Sequence, residues 1–167
     1  MMEFTFAMIK PDAVEAKNSG KIIDMIEKNG FEILRMHKIH LTKEAAQEFY
    51  AVHKDKPFFG EMTETISSSP VIIMALSKEN AIADWRKLMG ATDPKKAETG
   101  TVRAIFGTDI GHNAVHGSDA AETAEEELSM FFVDEDDFED EESDGNDFEF
   151  DEECDEEDCE DDEECCS

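Results

Sequence analysis

Pro70-Val-Ile-Ile-Met-Ala-Leu76 is a continuous apolar run, bounded by Ser-Pro on one side and Ser-Lys on the other. A strand with one solvent-facing side alternates apolar and polar residues, whereas a strand covered on both faces is apolar throughout. The run is far shorter than the roughly 20 apolar residues that a membrane span needs. The segment therefore predicts a central strand, buried on both faces of a sheet.

Three other segments predict further strands of this sheet. Residues 3–9 alternate apolar and polar side chains and end at a turn set by Pro11. Residues 31–41 form a second candidate, and residues 113–115 give a last, short one. The side chains of residues 31–41 expected in the core are Phe31, Ile33 and, less regularly, Leu34 and Ile39.

Periodicity and end signals predict helices between these strands. Asn18-Ser19-Gly20 starts a helix that ends at Gly30, and Thr42 is suited to cap the next helix. After a break at Pro57, further helices are expected over residues 59–67, 81–89, 101–106 and 120–130. The order β-α-β-α-(α)-β-α-loop-β-α contains two β-α-β units. It predicts a ferredoxin-like α+β sandwich, a four-stranded antiparallel sheet with helices on one face.

The formal net charge of −29 is concentrated at the C-terminal end. Residues 134–167 hold 23 of the 44 acidic residues and none of the 15 basic ones, which leaves 21 acidic against 15 basic side chains before them. We expect a globular domain over residues 1–133 and a disordered acidic tail over residues 134–167. Nucleic acid and anionic membranes are excluded as expected partners, because binding to either needs a cationic face.

All four cysteines lie in the acidic tail, at positions Cys154, Cys159, Cys165 and Cys166. A folded part without disulfides fits a reducing compartment, and residues 1–10 lack the features of a signal peptide, so a cytoplasmic location is expected. The cysteine spacings differ from the C-x-x-C pairs of structural zinc sites. The tail has three open roles: a solvated extension, a docking segment for a basic protein, or a weak divalent-cation binder, with a thiol-and-carboxylate metal site less well supported.

The segment Ile110-Gly-His-Asn-Ala-Val-His-Gly-Ser-Asp119 is the candidate for chemistry. His116 could act as a nucleophile, because an imidazole titrates near neutrality and its neutral form is available. Taken alone, such a run is more often a histidine in a turn. His112 and His116 have zinc-like spacing, but flanking glycines and the lack of a third ligand argue against a metal. The glycine-rich phosphate loops G-x-x-x-x-G-K-[ST] and G-x-G-x-x-G are absent from the sequence.

Five further motifs accompany this segment in order along the chain. They are Ile9-Lys10-Pro11-Asp12, Tyr50-x-x-His53-Lys-x-x-Pro57-Phe58-Phe59, Trp85-Arg86 before Leu88-Met89-Gly90, Thr92-Asp-Pro94, and Gly100-Thr101-x-Arg103. With Asn113-x-x-His116-Gly-Ser-Asp119, they make the chain resemble the nucleoside diphosphate kinase family from about residue 4 to residue 132.

The resemblance implies an enzyme that transfers the γ-phosphate of a nucleoside triphosphate, typically ATP, to a nucleoside diphosphate. It implies ping-pong kinetics through a phosphohistidine on His116, with Glu127 bonding the other imidazole nitrogen, Ser118 assisting Glu127, and Lys10 also catalytic. The nucleotide-binding residues that it implies are Lys10, Tyr50, His53, Phe58, Arg86, Thr92, Arg103, Ile110 and Asn113. Mg²⁺ is expected mainly on the nucleotide phosphates, with no protein metal ligands.

The same resemblance implies a homo-oligomer, a tetramer or hexamer built from dimers. Thr99 stands before Gly100 where many relatives carry proline, in a loop that the family uses for subunit contacts, so the sequence does not choose between the two. An alternative function is a non-catalytic domain that binds nucleotides or partner proteins, with the acidic tail as a docking segment. The intact His116, Glu127 and Lys10 favour the enzyme over that alternative.

Overall fold

The structure is a computed structural model that describes residues 1–132. Its strands are β1 (Met2–Ile9), β2 (Glu32–Ile39), β3 (Val71–Glu79) and β4 (Val115–Gly117). Its helices are α1 (Pro11–Glu15), α2 (Ser19–Lys28), α3 (Lys43–Phe49), α4 (Phe59–Ser67), α5 (Ala81–Met89), α6 (Val102–Phe106) and α7 (Ala121–Phe131), with short 3₁₀ turns at Ala51–His53 and Pro94–Lys96. The acidic tail, its expected disorder, its four cysteines and the boundary placed after residue 133 lie outside the described residues.

The four strands form one antiparallel sheet in the order β2-β3-β1-β4. β1 and β3 occupy the centre and pair along the whole length of β1, from Met2 opposite Glu79 to Ile9 opposite Ile72. β4 is a three-residue edge strand on β1, with His116 opposite Met8. The central position of β3 and the ferredoxin-like arrangement confirm the fold predicted from the sequence.

Helices cover both faces of the sheet, so the expectation that they lie on one face was wrong. Ala7 and Ile9 of β1 belong to a buried cluster with residues of α1, α2 and α5. Phe6 and Met8, on the opposite face, belong to a second cluster with residues of α3, α4 and α7. Since β1 and β3 carry apolar side chains on both faces in their central parts, each face has to be covered by helices.

A β-bulge in β2 sends the core side chains of that strand to opposite faces. Ile33 pairs with Leu76 and Arg35 pairs with Ala75, so Leu34 is the extra residue. Ile33 packs on the first cluster and Ile39 on the second, although unbroken alternation would put them on one face. The prediction that Leu34 faces the core was wrong, because the bulge leaves it 46% exposed.

Two local elements differ from the sequence prediction. The turn expected at Pro11 is the short helix α1, in which proline occupies the first helical position that its fixed φ suits. The last strand begins at Val115 rather than at residue 113, because Ala114 has a left-handed φ of 69° that ends extended pairing. Among residues 1–132, no helix has the length and apolar character needed to cross a membrane.

Candidate active site

The turn before β4 is tied to the end of β1 and the start of α1. Ala114 donates its backbone N–H to Asp12 Oδ2 over 3.0 Å, and its carbonyl accepts from the backbone N–H of Lys10 over 2.8 Å. Asn113 precedes this turn and His116 follows it by two residues. The turn therefore sets the relative placement of two side chains that the sequence singled out.

The imidazole of His116 is held by a carboxylate on α7. Its Nε2 lies 3.0 Å from Glu127 Oε1, and Ser118 Oγ donates a short hydrogen bond to Glu127 Oε2. Since an ionised carboxylate only accepts hydrogen bonds, Nε2 carries the ring proton and Nδ1 keeps its lone pair. Within residues 1–132, Nδ1 has no hydrogen-bond partner. The ring is therefore oriented through one nitrogen, and the other can attack an electrophile.

Three aromatic rings surround the imidazole of His116. Its centroid lies 5.0 Å from that of Phe49, 5.9 Å from that of Tyr50 and 6.3 Å from that of Phe6, all with steeply inclined planes. These contacts restrict rotation of the ring while leaving the His116 side chain 22% exposed. Phe6 and Phe49 were not predicted as site residues, because in sequence they read as ordinary core positions.

Gly117 allows β4 to lie directly against a buried tryptophan. A Cβ at this position would stand 2.2 Å from Nε1 of Trp85 and 2.9 Å from Cε of Met89. Trp85 is fully buried, and within the described residues its indole N–H has no hydrogen-bond partner. The glycine after the histidine is therefore required by packing beneath the strand.

Lys10 belongs to a partly buried polar group with Asn113. Its Nζ donates to Asn113 Oδ1 over 2.8 Å, and Asn113 Nδ2 donates to the carbonyl of Thr92 over 3.0 Å. Burial, then the nearby guanidinium of Arg103, lowers the pKa of Lys10 to about 8, while the carboxylate of Asp12 opposes this effect. The cation is therefore held here at a cost that a bound anion would relieve.

Arg103 on α6 is a second partly buried cation. It donates to the carbonyls of Gly90 and Val115 over 3.0 and 2.9 Å, while its buried Nε has no partner within residues 1–132. Burial, opposed by Tyr50 and assisted by Arg86, lowers the pKa of Arg103 to about 10. Burial and then Glu127 raise the pKa of the Tyr50 phenol above its usual value, so it keeps its proton and can donate a hydrogen bond.

Other predicted site residues lie at the exposed edge of this group. Arg86 on α5 is exposed and contacts the carbonyl of Asp119 at a long 3.5 Å. His53 lies in a 3₁₀ turn, with its ring 6.3 Å from that of Tyr50. Phe58 is 46% exposed and Ile110 is 62% exposed. Neither residue takes part in the hydrogen bonds and ring contacts around His116, Lys10 and Arg103. Apolar side chains this exposed are available to a ligand.

Within the part of the chain that the structure describes, no group of three or more His, Cys, Asp or Glu residues could hold a metal ion. His112 and His116, the pair with zinc-like spacing, have separate partners. His112 Nδ1 contacts Asp109 Oδ1 at 3.1 Å in an exposed loop, whereas His116 contacts Glu127. The hydrogen-bond donors of the site are cationic or neutral side chains, which suit an anion.

Known proteins resemble this chain in both sequence and structure. The family model described as nucleoside diphosphate kinase matches residues 3–136. The nucleoside diphosphate kinase of Pelobacter propionicus is 59% identical over 131 residues, which are 78% of this chain and 96% of that relative. The Aquifex aeolicus enzyme of the same name superposes with a TM-score of 0.79 at 41% identity, over 80% of this chain and 97% of its own. The Halobacterium salinarum enzyme, solved in complex with CDP, superposes with a TM-score of 0.78 at 39% identity, over 86% of this chain and 95% of its own.

We predict that Gly117→Ala destabilises the protein by about 1–3 kcal/mol, the usual range for overpacking a filled interior. The added methyl group would overlap Trp85, so either the indole or β4 must move. Urea denaturation followed by tryptophan fluorescence measures the change. Gly20→Ala in α2 is the matched control, because a Cβ there meets nothing within 4 Å and alanine favours a helix. Equal stability of the two variants would contradict the packing role of Gly117.

Proposed function

The chain belongs to the nucleoside diphosphate kinase family, whose members transfer phosphoryl groups between nucleotides, and we propose that His116 carries the phosphoryl group in this chain. The observation that carries the proposal is the hydrogen bond between His116 Nε2 and Glu127, which leaves the Nδ1 lone pair available. A nucleophile oriented by a second group, itself held by a third, is the usual arrangement for covalent catalysis.

Each half-reaction exchanges one bond to phosphorus for another. In the first, the lone pair of Nδ1 forms a P–N bond to the γ-phosphorus, the bond to the β,γ-bridging oxygen breaks, and the nucleoside diphosphate leaves with that electron pair. In the second, an oxygen of the terminal phosphate of a different nucleoside diphosphate attacks the same phosphorus and Nδ1 leaves. Throughout, Glu127 keeps the Nε2 proton in place and stabilises positive charge on the ring.

The cations of the site would bind the phosphates. Phosphoryl transfer mostly requires positioning and neutralisation of charge, and Lys10, Arg86 and Arg103 carry the positive charges for it. The planar guanidinium groups suit phosphate oxygens, and within residues 1–132 the Nε of Arg103 is a donor without an acceptor. Tyr50, His53 and Thr92 would add donors to phosphate oxygens, while Asn113 and Lys10 would bind the ribose 3′-hydroxyl.

The exposed apolar side chains would bind the base. Phe58 offers a ring for stacking and Ile110 a second apolar surface. Stacking uses the π-face that every base has, so it admits purines and pyrimidines alike. That the Halobacterium salinarum relative was solved with CDP supports a nucleotide as the ligand.

Mg²⁺ would enter the site on the nucleotide. The side chains proposed to bind phosphate are cationic or neutral and do not attract a dication, whereas phosphate oxygens are the hard ligands that Mg²⁺ prefers. When bound, the ion neutralises charge on the β- and γ-phosphates. Assembly into tetramers or hexamers and a cytoplasmic location stay predictions from the sequence.

We predict that incubation with γ-labelled ATP and Mg²⁺, without an acceptor, labels the wild-type protein. The label should be acid-labile and alkali-stable, should move to GTP when GDP is added, and should be absent from His116→Ala. His112→Ala is the matched control and should label normally, because that exposed ring contacts Asp109 instead. A wild type that binds ADP but neither labels nor forms GTP would favour the alternative of a non-catalytic binding domain.

We predict that Glu127→Gln lowers kcat by roughly 10–10³-fold, since the ring loses the carboxylate that fixes its tautomer and stabilises its positive charge. The Michaelis constants should change little, because Glu127 is bonded to His116 and Ser118 rather than to the proposed phosphate cations. Steady-state kinetics with ATP and dTDP measure both. The control is Glu126→Gln, the exposed neighbour on α7, and equal activity of the two variants would contradict the role of Glu127.

We predict that ADP binding weakens by up to about tenfold as the pH rises through about 8, where unliganded Lys10 loses its proton. The pKa of Lys10 is about 8 in the folded protein and 10.5 ordinarily, so between these pH values the unfolded chain binds one proton more than the folded chain. The free energy of unfolding therefore increases with pH over this range through Lys10. Calorimetric titration at several pH values measures the affinity. In Lys10→Arg the guanidinium keeps its proton, so an unchanged alkaline midpoint in that variant would assign the effect to another group.

A further inference from the structure

Asp12 is a partly buried carboxylate that the nucleotide chemistry described above does not use. It lies in the first turn of α1, and its Oδ2 accepts the backbone N–H of Ala114 across more than a hundred residues of sequence. Its other oxygen, Oδ1, is buried and has no hydrogen-bond partner within residues 1–132. A buried carboxylate oxygen without a donor is costly, which indicates that the carboxylate serves a purpose at this position.

The residue that Asp12 holds is in a strained conformation. Ala114 has a φ of 69°, which a residue with a Cβ adopts at a cost unless its surroundings enforce it. Asp12 accepts from the N–H of Ala114, and the backbone N–H of Lys10 donates to its carbonyl. Hydrogen bonds from Lys10 and Asp12 therefore hold both the N–H and the carbonyl of Ala114, and they stabilise the turn between Asn113 and His116.

Asp12 also carries a negative charge that favours the cationic form of Lys10. The charged groups that act on Lys10 are Asp12 from α1, which favours the cation, and Arg103 from α6, which opposes it together with burial. Asn113, which accepts from Lys10 Nζ, is neutral. Without Asp12, the charge of Arg103 would act on the desolvated Lys10 with less opposition.

We propose that Asp12 is a positioning residue for the phosphotransfer, which holds the Asn113–His116 turn through one oxygen and contributes a negative charge that favours the Lys10 cation. The inference rests on the proposed function of His116 and Lys10 and adds a residue that acts through both. Asp12 makes two contributions, a hydrogen bond to Ala114 and a negative charge, and different substitutions remove them.

The test compares three substitutions of Asp12 in the full chain, Asp12→Asn, Asp12→Ala and Asp12→Glu. Asp12→Asn removes the charge but retains an oxygen that can accept from Ala114, whereas Asp12→Ala removes both. Asp24→Asn is the control, because that carboxylate forms an exposed ion pair with Lys28 on α2, away from the site. Three quantities are measured: hydrogen exchange of the Ala114 amide, the pH dependence of ADP binding, and kcat against KM for ATP.

In Asp12→Ala, the Ala114 amide should exchange at least about tenfold faster and kcat should fall by about tenfold or more at every pH. In Asp12→Asn, exchange should stay near the wild-type rate, while the alkaline midpoint of ADP binding should move about one pH unit lower. Asp24→Asn should match the wild type in all three. Asp12→Glu should restore the alkaline midpoint, which a purely structural role would not require.

The inference is wrong if Asp12→Asn and Asp12→Ala both keep the wild-type exchange rate of the Ala114 amide and the wild-type alkaline midpoint of ADP binding. It is equally wrong if Asp12→Ala melts at a lower temperature but its folded fraction retains the wild-type kcat and midpoint. Exchange and ADP binding need no turnover, so they decide the role of Asp12 even if the wild type fails to label. Labelling of the wild type on His116 separately decides the proposed function.

Discussion

The hydrogen bond from His116 Nε2 to Glu127 is the interaction on which the site depends, because it decides which imidazole nitrogen is free. The two residues lie on a three-residue edge strand and on the helix that follows it, neither of which is stable alone. β4 is held by its pairing with the end of β1, by Asp12 and Lys10 at the preceding turn, and by Trp85 beneath Gly117. The central strand β1 thus contributes both to the core and to the alignment of the His116 ring.

Two positively charged side chains, Lys10 and Arg103, lie at the end of the sheet where β1 pairs with β4. Lys10 and Arg103 are held by neutral oxygens, the amide of Asn113 and the carbonyls of Gly90 and Val115. These hydrogen-bond acceptors add no formal negative charge, so the two side chains keep a positive potential that would attract an anion. Burial lowers the pKa of both residues, which shows that the folded protein disfavours these positive charges while no anion is bound.

Much of the fold could be predicted because its signals are local. The apolar run of β3, the bounds of α4 and α5 and the cap at Thr42 each depend on neighbouring residues, and the structure has them as predicted. The bulge at Leu34 could not be predicted, because it depends on how β2 pairs with β3. Motifs named the residues around His116, but the role of Asp12 depends on a contact with Ala114, and nothing near Asp12 in sequence indicates that contact.

The packing of Trp85 against Gly117 also gives the molecule an optical property. The chain of 167 residues contains one tryptophan, and it lies fully buried beneath the peptide that follows His116. Indole emission depends on the polarity and electric field around the ring, so the tryptophan fluorescence of this protein originates at a single point, next to the strand that carries His116. Charge added to or removed from the imidazole changes the field at that chromophore, and the fold thereby contains its own spectroscopic reporter.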